Sequence, residues 1–306
     1  MTDAAVVRTD VSADFKSVLS EVAAATNAEL DRLLPNAPGP ENRVIEAMRY
    51  AALDGGKRLR PFLVCASAAL FDAPRSQALR VAAAIEMVHC YSLVHDDLPA
   101  MDDDDLRRGR PTVHKKYDEA TAILAGDALL TEAFAVLADP ATHSDGAVRA
   151  NLVAELAAAS GARGMVGGQM IDLMAASLDL DQAGLTRLQD MKTGCLIAGS
   201  CRLGAVLGGA SPPDCDALGA YGMAMGLAFQ IADDVLDVES SASVTGKATG
   251  KDAAAGKATF VSRLGLEGAK TYARELAETA ARHLAGFGDR AGVLRQAAFF
   301  AVERRS

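Results

Sequence analysis

Ten residues, Asp96 to Asp105, hold six carboxylates: Asp96, Asp97, Asp102, Asp103, Asp104 and Asp105. An acidic run is commonly a solvated turn. This one follows Val81 to Val94, a segment too apolar for a surface helix. Carboxylates gathered at the end of a core helix repel one another unless a cation neutralises them, and an oxygen-only set suits a hard ion such as Mg²⁺. An EF-hand is excluded, because its D-x-D-x-D-G loop is missing.

A second acidic group stands at Asp233-Asp-Val-Leu-Asp237. Asp233 and Asp237 are four positions apart, so at about 100° per residue they stack on one face of a helix. Alone, such a pair serves equally well as a cap or as an ion-pair partner. Two groups, each ending an apolar helix, are better explained as facing ligand sets around shared cations, an arrangement that suits a polyphosphate. Basic residues stand where phosphate oxygens would need them. They are Lys57, Arg58 and Arg60 in Gly55-Gly-Lys-Arg-Leu-Arg-Pro61, then Arg107 and Arg108 after the first acidic run, Lys192 in Lys192-Thr-Gly194, and Lys247, Lys251 and Lys257 in a Gly-rich stretch. Gly-Gly-Lys alone is a weak signal, since the Walker spacing is absent. Arg58 and Lys251 are the members most easily read as bystanders.

Helices must position these groups. Of the 306 residues 50% are hydrophobic, 23% charged and only 5% aromatic, with no tryptophan, which predicts an all-α protein with almost no sheet. The net charge of −9 opposes nucleic-acid binding. Breakers at Pro35–Pro40, Asp72–Ser76, Asp139-Pro140 and Ser144–Gly146 separate long periodic runs. One run after Pro213 carries Leu218, Tyr221, Met225, Phe229, Ala232 and Leu236 on a stripe and is expected to end near Asp237. Glu239 to Thr259 then reads as a Ser-, Thr-, Gly- and Lys-rich loop, expected to close over bound phosphate. No apolar stretch is expected to supply the ~18 residues of a membrane span. The first residues fit neither a secretory signal nor a transit peptide. Five scattered cysteines without C-x-x-C spacing point away from disulfides and zinc and toward a reducing cytoplasm.

Six ordered motifs resemble the trans-type polyprenyl diphosphate synthases, most closely the bacterial farnesyl diphosphate synthases. They are Gly55–Pro61, the first Asp-rich run, Gly167-Gly-Gln-Met-Ile-Asp172, Lys192-Thr-Gly194, Phe229-Gln-Ile-Ala-Asp-Asp-Val-Leu-Asp237 and Gly246-Lys-Ala-Thr-Gly-Lys-Asp252, together covering nearly the whole chain. Asp190-Met191, ahead of Lys192, is less basic than the family pattern.

The resemblance implies a single all-α domain over residues 1–306, with 1–12 as a tail. It would be a helical bundle around a deep central cavity, of the isoprenoid synthase type, paired as a homodimer. The implied reaction ionises an allylic diphosphate, dimethylallyl or geranyl, and adds the carbocation to isopentenyl diphosphate. Asp96, Asp102 and Asp233 match the family's metal ligands, with Asp237 a weaker candidate. Mg²⁺ is the implied cofactor, three ions with substrate bound, with Mn²⁺ able to substitute. Arg107, Lys192, Lys247 and Lys257 match the allylic diphosphate site. Thr193 and Gln230 match dipoles that face the carbocation. Lys57, Arg60, His89 and Arg108 match the isopentenyl diphosphate site. No protein base is implied, since the released diphosphate can take the proton.

Local geometry qualifies two of these positions and adds two more. His89, seven positions before Asp96, shares its helix face two turns deeper. Asp102 would sit about 240° from Asp96 on an unbroken helix, so Pro99 must let the chain bulge and return. Tyr91 and Ser92 stand about 7.5 and 6 Å deeper than Asp96, where a bulky side chain would act as a floor for the growing product. Tyr91 must reach in sideways, being about 140° off on an ideal wheel. The resemblance makes Tyr91 the mark of a C15 product, farnesyl diphosphate, with a C20 geranylgeranyl product as the alternative. Rival readings are a class I terpene cyclase, disfavoured by the aspartates of the second motif, a non-catalytic partner subunit, and an acidic cation-binding module, which leaves the Lys and Arg pattern unexplained.

Overall fold

The computed structural model describes residues 14–53, 55–178, 180–243 and 259–303. Their Ala- and Leu-rich runs form helices α1 (Phe15–Leu33), α2 (Asn42–Ala52), α3 (Leu59–Ala69), α4 (Arg75–Asp96), α5 (Val113–Lys116), α6 (Glu119–Ala138) and α7 (Gly146–Ser160). They continue with α8 (Met165–Met174), α9 (Gln182–Gln189), α10 (Cys195–Leu207), α11 (Pro212–Ser243), α12 (Phe260–His283) and α13 (Gly292–Glu303). The predicted breakers fall between helices. Asp118, Asp145 and Asp181 cap α6, α7 and α9, each accepting a backbone N–H of the first turn.

Helix α4 is the axis of the core. It packs against α1, α2, α3, α6 and α10, so Val81, Ile85, Met87 and Val88 are fully enclosed and the helix can be apolar on every side. Helix α10 carries the core on to α7 and α11. A smaller apolar cluster joins Leu227, Ile231 and Val235 of α11 to Phe260, Ala269 and Ala273 of α12 and Leu185 of α9.

Two expectations need amendment. Helix α11 does not end at Asp237 but runs to Ser243, and Lys270 of α12 holds the added turn through an ion pair to Glu239 (2.9 Å). The rest of the stretch read as a loop, with Lys247, Lys251 and Lys257, lies outside the described residues, as does the 1–12 tail. Second, α6 is long and apolar enough to cross a membrane by length and composition: its most apolar 18 residues have mean hydropathy 1.6 and only two charges, Asp127 and Glu132, in place of the expected interruption. Its inner face packs on α4 as a core helix does. The expected near-absence of sheet holds, the described residues forming one ladder of two residues per strand. Strands β1 (Leu106–Arg107) and β2 (Arg110–Pro111) pair antiparallel across a turn in which Arg108 (φ 53°) and Gly109 (φ 77°) are both left-handed, the signature of a type I′ hairpin.

Candidate active site

The acidic run closes on itself at the end of α4. The amide of Asp102 donates to the Asp96 carbonyl (2.9 Å) and that of Asp103 to the Leu98 carbonyl (3.2 Å), so the Pro99 excursion brings Asp102 back beside Asp96. Asp96 lines a cavity of about 370 Å³. Burial pushes its carboxyl up to about 6; Lys192 opposes the shift and Asp102 adds to it.

Asp97 does something the sequence did not disclose. It is buried, and the Arg107 guanidinium donates to both its oxygens, from Nε at 2.8 and 2.9 Å and from Nη2 at 2.6 Å. The pair sets Arg107 at the root of the hairpin. Asp234 repeats the device in the second motif: buried on α11, it accepts the Phe260 amide (3.0 Å) at the start of α12 and the Gln230 side-chain amide (3.4 Å). Neighbours on a helix point about 100° apart, so one aspartate of each adjacent pair had to leave the shared face.

Three elements supply most of the wall of the Asp96 cavity. Helix α4 brings Tyr91, Ser92 and Asp96, and α8 brings Met165, Gln169 and Met170. A π-helical turn at Asp190–Gly194, between α9 and α10, brings Lys192 and Thr193. Helix α8 approaches that turn so closely that a Cβ on Gly168 would lie 2.1 Å from the Lys192 amide nitrogen. The Lys192 ammonium donates to Asp172 (2.7 Å), and the Thr193 hydroxyl donates to the Gln230 carbonyl oxygen (3.4 Å), tying the cavity to α11. Tyr91 is buried on this wall, edge-on to the His95 ring at 5.7 Å, and the Ser92 hydroxyl is turned to the His89 carbonyl (2.8 Å).

Asp233, half-buried, and Asp237, exposed, stand on α11 and are not on the Asp96 wall. Among the described residues no three His, Cys, Asp or Glu side chains close on one point. The two acidic motifs therefore do not form a complete protein cage. Asp96, half-buried and repelled by the exposed Asp102 beside it, nevertheless fits Mg²⁺, which is held by one or two carboxylates and completes its shell with water and phosphate oxygens.

A second cavity, about 450 Å³, brings together Lys57, Arg60, His89 and Arg108. Arg60 and His89 line both cavities. The Arg60 Nε is buried without a hydrogen-bond partner among the described residues. Burial holds Arg60 below its usual range, with Glu86 opposing. Burial first, then Arg60, Arg108, Arg107 and Arg58, hold His89 well below the ordinary histidine value, so its imidazole is neutral. Arg58, read from the sequence as a bystander among solvated charges, is instead a buried framework residue. It is ion-paired to Glu86 (2.6 Å) and bonded to Asn27 (2.9 Å) and the Ala52 carbonyl.

The polyprenyl synthetase family profile matches residues 41–288. The chain belongs to the polyprenyl synthetase family. Farnesyl diphosphate synthase of Escherichia coli (strain K12) is 46% identical over 278 residues, 89% of this chain and 91% of that relative. Large subunit 1 of the heterodimeric geranylgeranyl pyrophosphate synthase of Arabidopsis thaliana is 44% identical over 90% of this chain and 75% of its own. A solved FPP/GFPP synthase from Zymomonas mobilis superposes with a TM-score of 0.86 at 47% identity, covering 94% of this chain and 98% of that one. The fold is thus the all-α isoprenoid synthase bundle and the activity trans-prenyl transfer. No cysteine of this polyprenyl synthetase is poised as a nucleophile: all five are free, and burial pushes Cys65, Cys90 and Cys201 up to about 12.

Proposed function

We propose that this polyprenyl synthetase ionises an allylic diphosphate and couples the carbocation to isopentenyl diphosphate, giving farnesyl diphosphate. The observation that carries the reading is the shared wall. Arg60 and His89 line both the cavity of Asp96, Lys192 and Thr193 and the basic cavity of Lys57 and Arg108. Two diphosphates seated in the two cavities would face each other across it.

In this reading isopentenyl diphosphate docks on Lys57, Arg60, Arg108 and the neutral His89. The buried, unpartnered Arg60 Nε then gains an acceptor. The allylic diphosphate is met by Arg107 and Lys192, with Lys247 and Lys257 assigned by resemblance. Lys192 exchanges Asp172 for phosphate oxygens. Asp96, Asp102 and Asp233 would hold Mg²⁺, three ions with substrate bound, with Asp237 the weaker candidate and Mn²⁺ a substitute. Bound Mg²⁺ would neutralise charge on the departing diphosphate. The allylic C–O bond breaks with its electrons on that leaving group. Thr193 and Gln230 turn neutral oxygens to the cation, and apolar walls keep water out. The double bond of isopentenyl diphosphate supplies the electrons of the new C–C bond, and the proton lost afterwards passes to the released diphosphate. Tyr91, with Ser92 beside it, closes the floor at C15. A C20 product is the alternative, favoured by the likeness to the Arabidopsis subunit. A second copy of the chain is the proposed partner for the outer face of α6, and the cytoplasm the proposed compartment.

The test is the cation. Asp96→Ala or Asp233→Ala should remove turnover by ~10²-fold or more while circular dichroism keeps its helical signal, because removing one preorganised electrostatic contact typically costs that much. Parental turnover by either variant at saturating Mg²⁺, or by the parent in EDTA, contradicts the reading.

A further inference from the structure

The Gly167–Asp172 motif contributes one residue that the mechanism so far leaves idle. Gln169 lines the Asp96 cavity, and both its amide oxygen and its amide nitrogen are buried without a hydrogen-bond partner among the described residues. Folded proteins pair the large majority of buried polar atoms, and leaving both ends of an amide unmade destabilises the fold. Such an exception on a cavity wall calls for a ligand.

Two independent features say which part of the ligand. Gln169 is three residues before Asp172, on the same face of α8, and Asp172 holds the Lys192 ammonium at 2.7 Å. Adjacent Gly168 is the point where α8 touches the Lys192 backbone. The amide is therefore presented where Lys192 and Thr193 enter the cavity. Met165 and Met101 on the same wall offer only a thioether sulfur, a weak acceptor, and Leu173 offers no polar group. A ligand drawn to Lys192 is anionic, and an anion accepts from an amide N–H.

We propose that Gln169 is a substrate-binding residue of the allylic site, its side-chain N–H donating to a diphosphate oxygen. The proposal rests on the prenyl-transfer reading. It predicts an unusual separation of stability from binding. Gln169→Met keeps the side-chain length and removes an unsatisfied amide, so the ligand-free protein should melt at the parental temperature or above. Its affinity for a non-ionising allylic analogue, the S-thiolodiphosphate of dimethylallyl alcohol, should fall roughly tenfold in the presence of Mg²⁺, about 1.4 kcal/mol. Gln169→Glu, of the same shape but charged, should bind the analogue more weakly still. Titration of isopentenyl diphosphate alone should be unchanged in both.

Calorimetric titration and thermal melting of the parent and both variants decide the matter. Parental affinity for the analogue in both variants overturns the proposal. So does a lowered melting temperature of Gln169→Met with unchanged affinity, which would give the amide a structural partner instead. A parent chain that binds no allylic analogue overturns the prenyl-transfer reading as well, whereas a binding parent with insensitive variants overturns the Gln169 assignment alone.

Discussion

Asp96 is a carboxylate whose environment opposes its own charge. Its carboxyl titrates near 6 instead of 3.8, chiefly through burial, so between these values the folded chain holds a proton that the unfolded chain has released. The stability this contributes is full below pH 3.8 and lost as pH rises through 6; at neutral pH the cation-free protein carries a half-buried charge that costs on the order of 3 kcal/mol. Asp96→Asn should therefore raise the melting temperature of the metal-free protein at pH 7.5, with a smaller effect at pH 4.5, and abolish turnover. Scanning calorimetry at the two pH values checks this, and an unchanged melting temperature at pH 7.5 contradicts it. Charge made Asp96, Lys192, Arg60 and Arg108 legible in the sequence. Asp97 and Asp234 were not, because adjacency says that one carboxylate must turn inward but not what it will meet. Gln169 carries no charge, and its orphaned amide exists only once α8 has packed on the π-turn.

The elements were legible where composition marks their ends. A proline cluster stops α1, Pro74 precedes α4, and aspartates cap α6, α7 and α9. Three features depend on tertiary contacts and left no local trace. The π-turn at Asp190–Gly194 forms where the bare surface of Gly168 abuts Lys192. The last turn of α11 is held from α12 by Lys270, and the hairpin that presents Arg107 and Arg108 is anchored by Asp97. Another anchor is the buried pair of Arg58 and Glu86, which fastens the segment carrying Lys57 and Arg60 to α4. Removing one partner of a buried ion pair leaves the other uncompensated, at about 3–5 kcal/mol. Glu86→Ala should lower the urea midpoint accordingly and weaken isopentenyl diphosphate binding through the displaced Arg60. A loss of unfolding free energy under about 1 kcal/mol would show that the pair does not hold that junction.

At the scale of the molecule, the net charge of −9 coexists with a basic cavity because cations are concentrated in Gly55–Pro61 and around Arg107 and Arg108. Helix α6 explains how an apolar helix can be half core and half surface: Ile123 and Leu124 are 45% and 57% exposed opposite the side that packs on α4. If a second copy covers this face, Leu124→Glu should convert the dimer to monomer in sedimentation velocity. A variant that sediments as the parent does would remove α6 from the interface.

The direct measurement is chromatography of the dephosphorylated products made by the purified chain from dimethylallyl diphosphate, isopentenyl diphosphate and Mg²⁺, run beside Tyr91→Ala. The expected result is farnesol from the parent and C20 or longer alcohols from the variant, whose buried ring no longer closes the floor of the Asp96 cavity. No prenyl alcohol from the parent contradicts prenyl transfer by this chain, and a C20 alcohol from the parent, or an unchanged C15 product from Tyr91→Ala, contradicts the Tyr91 floor.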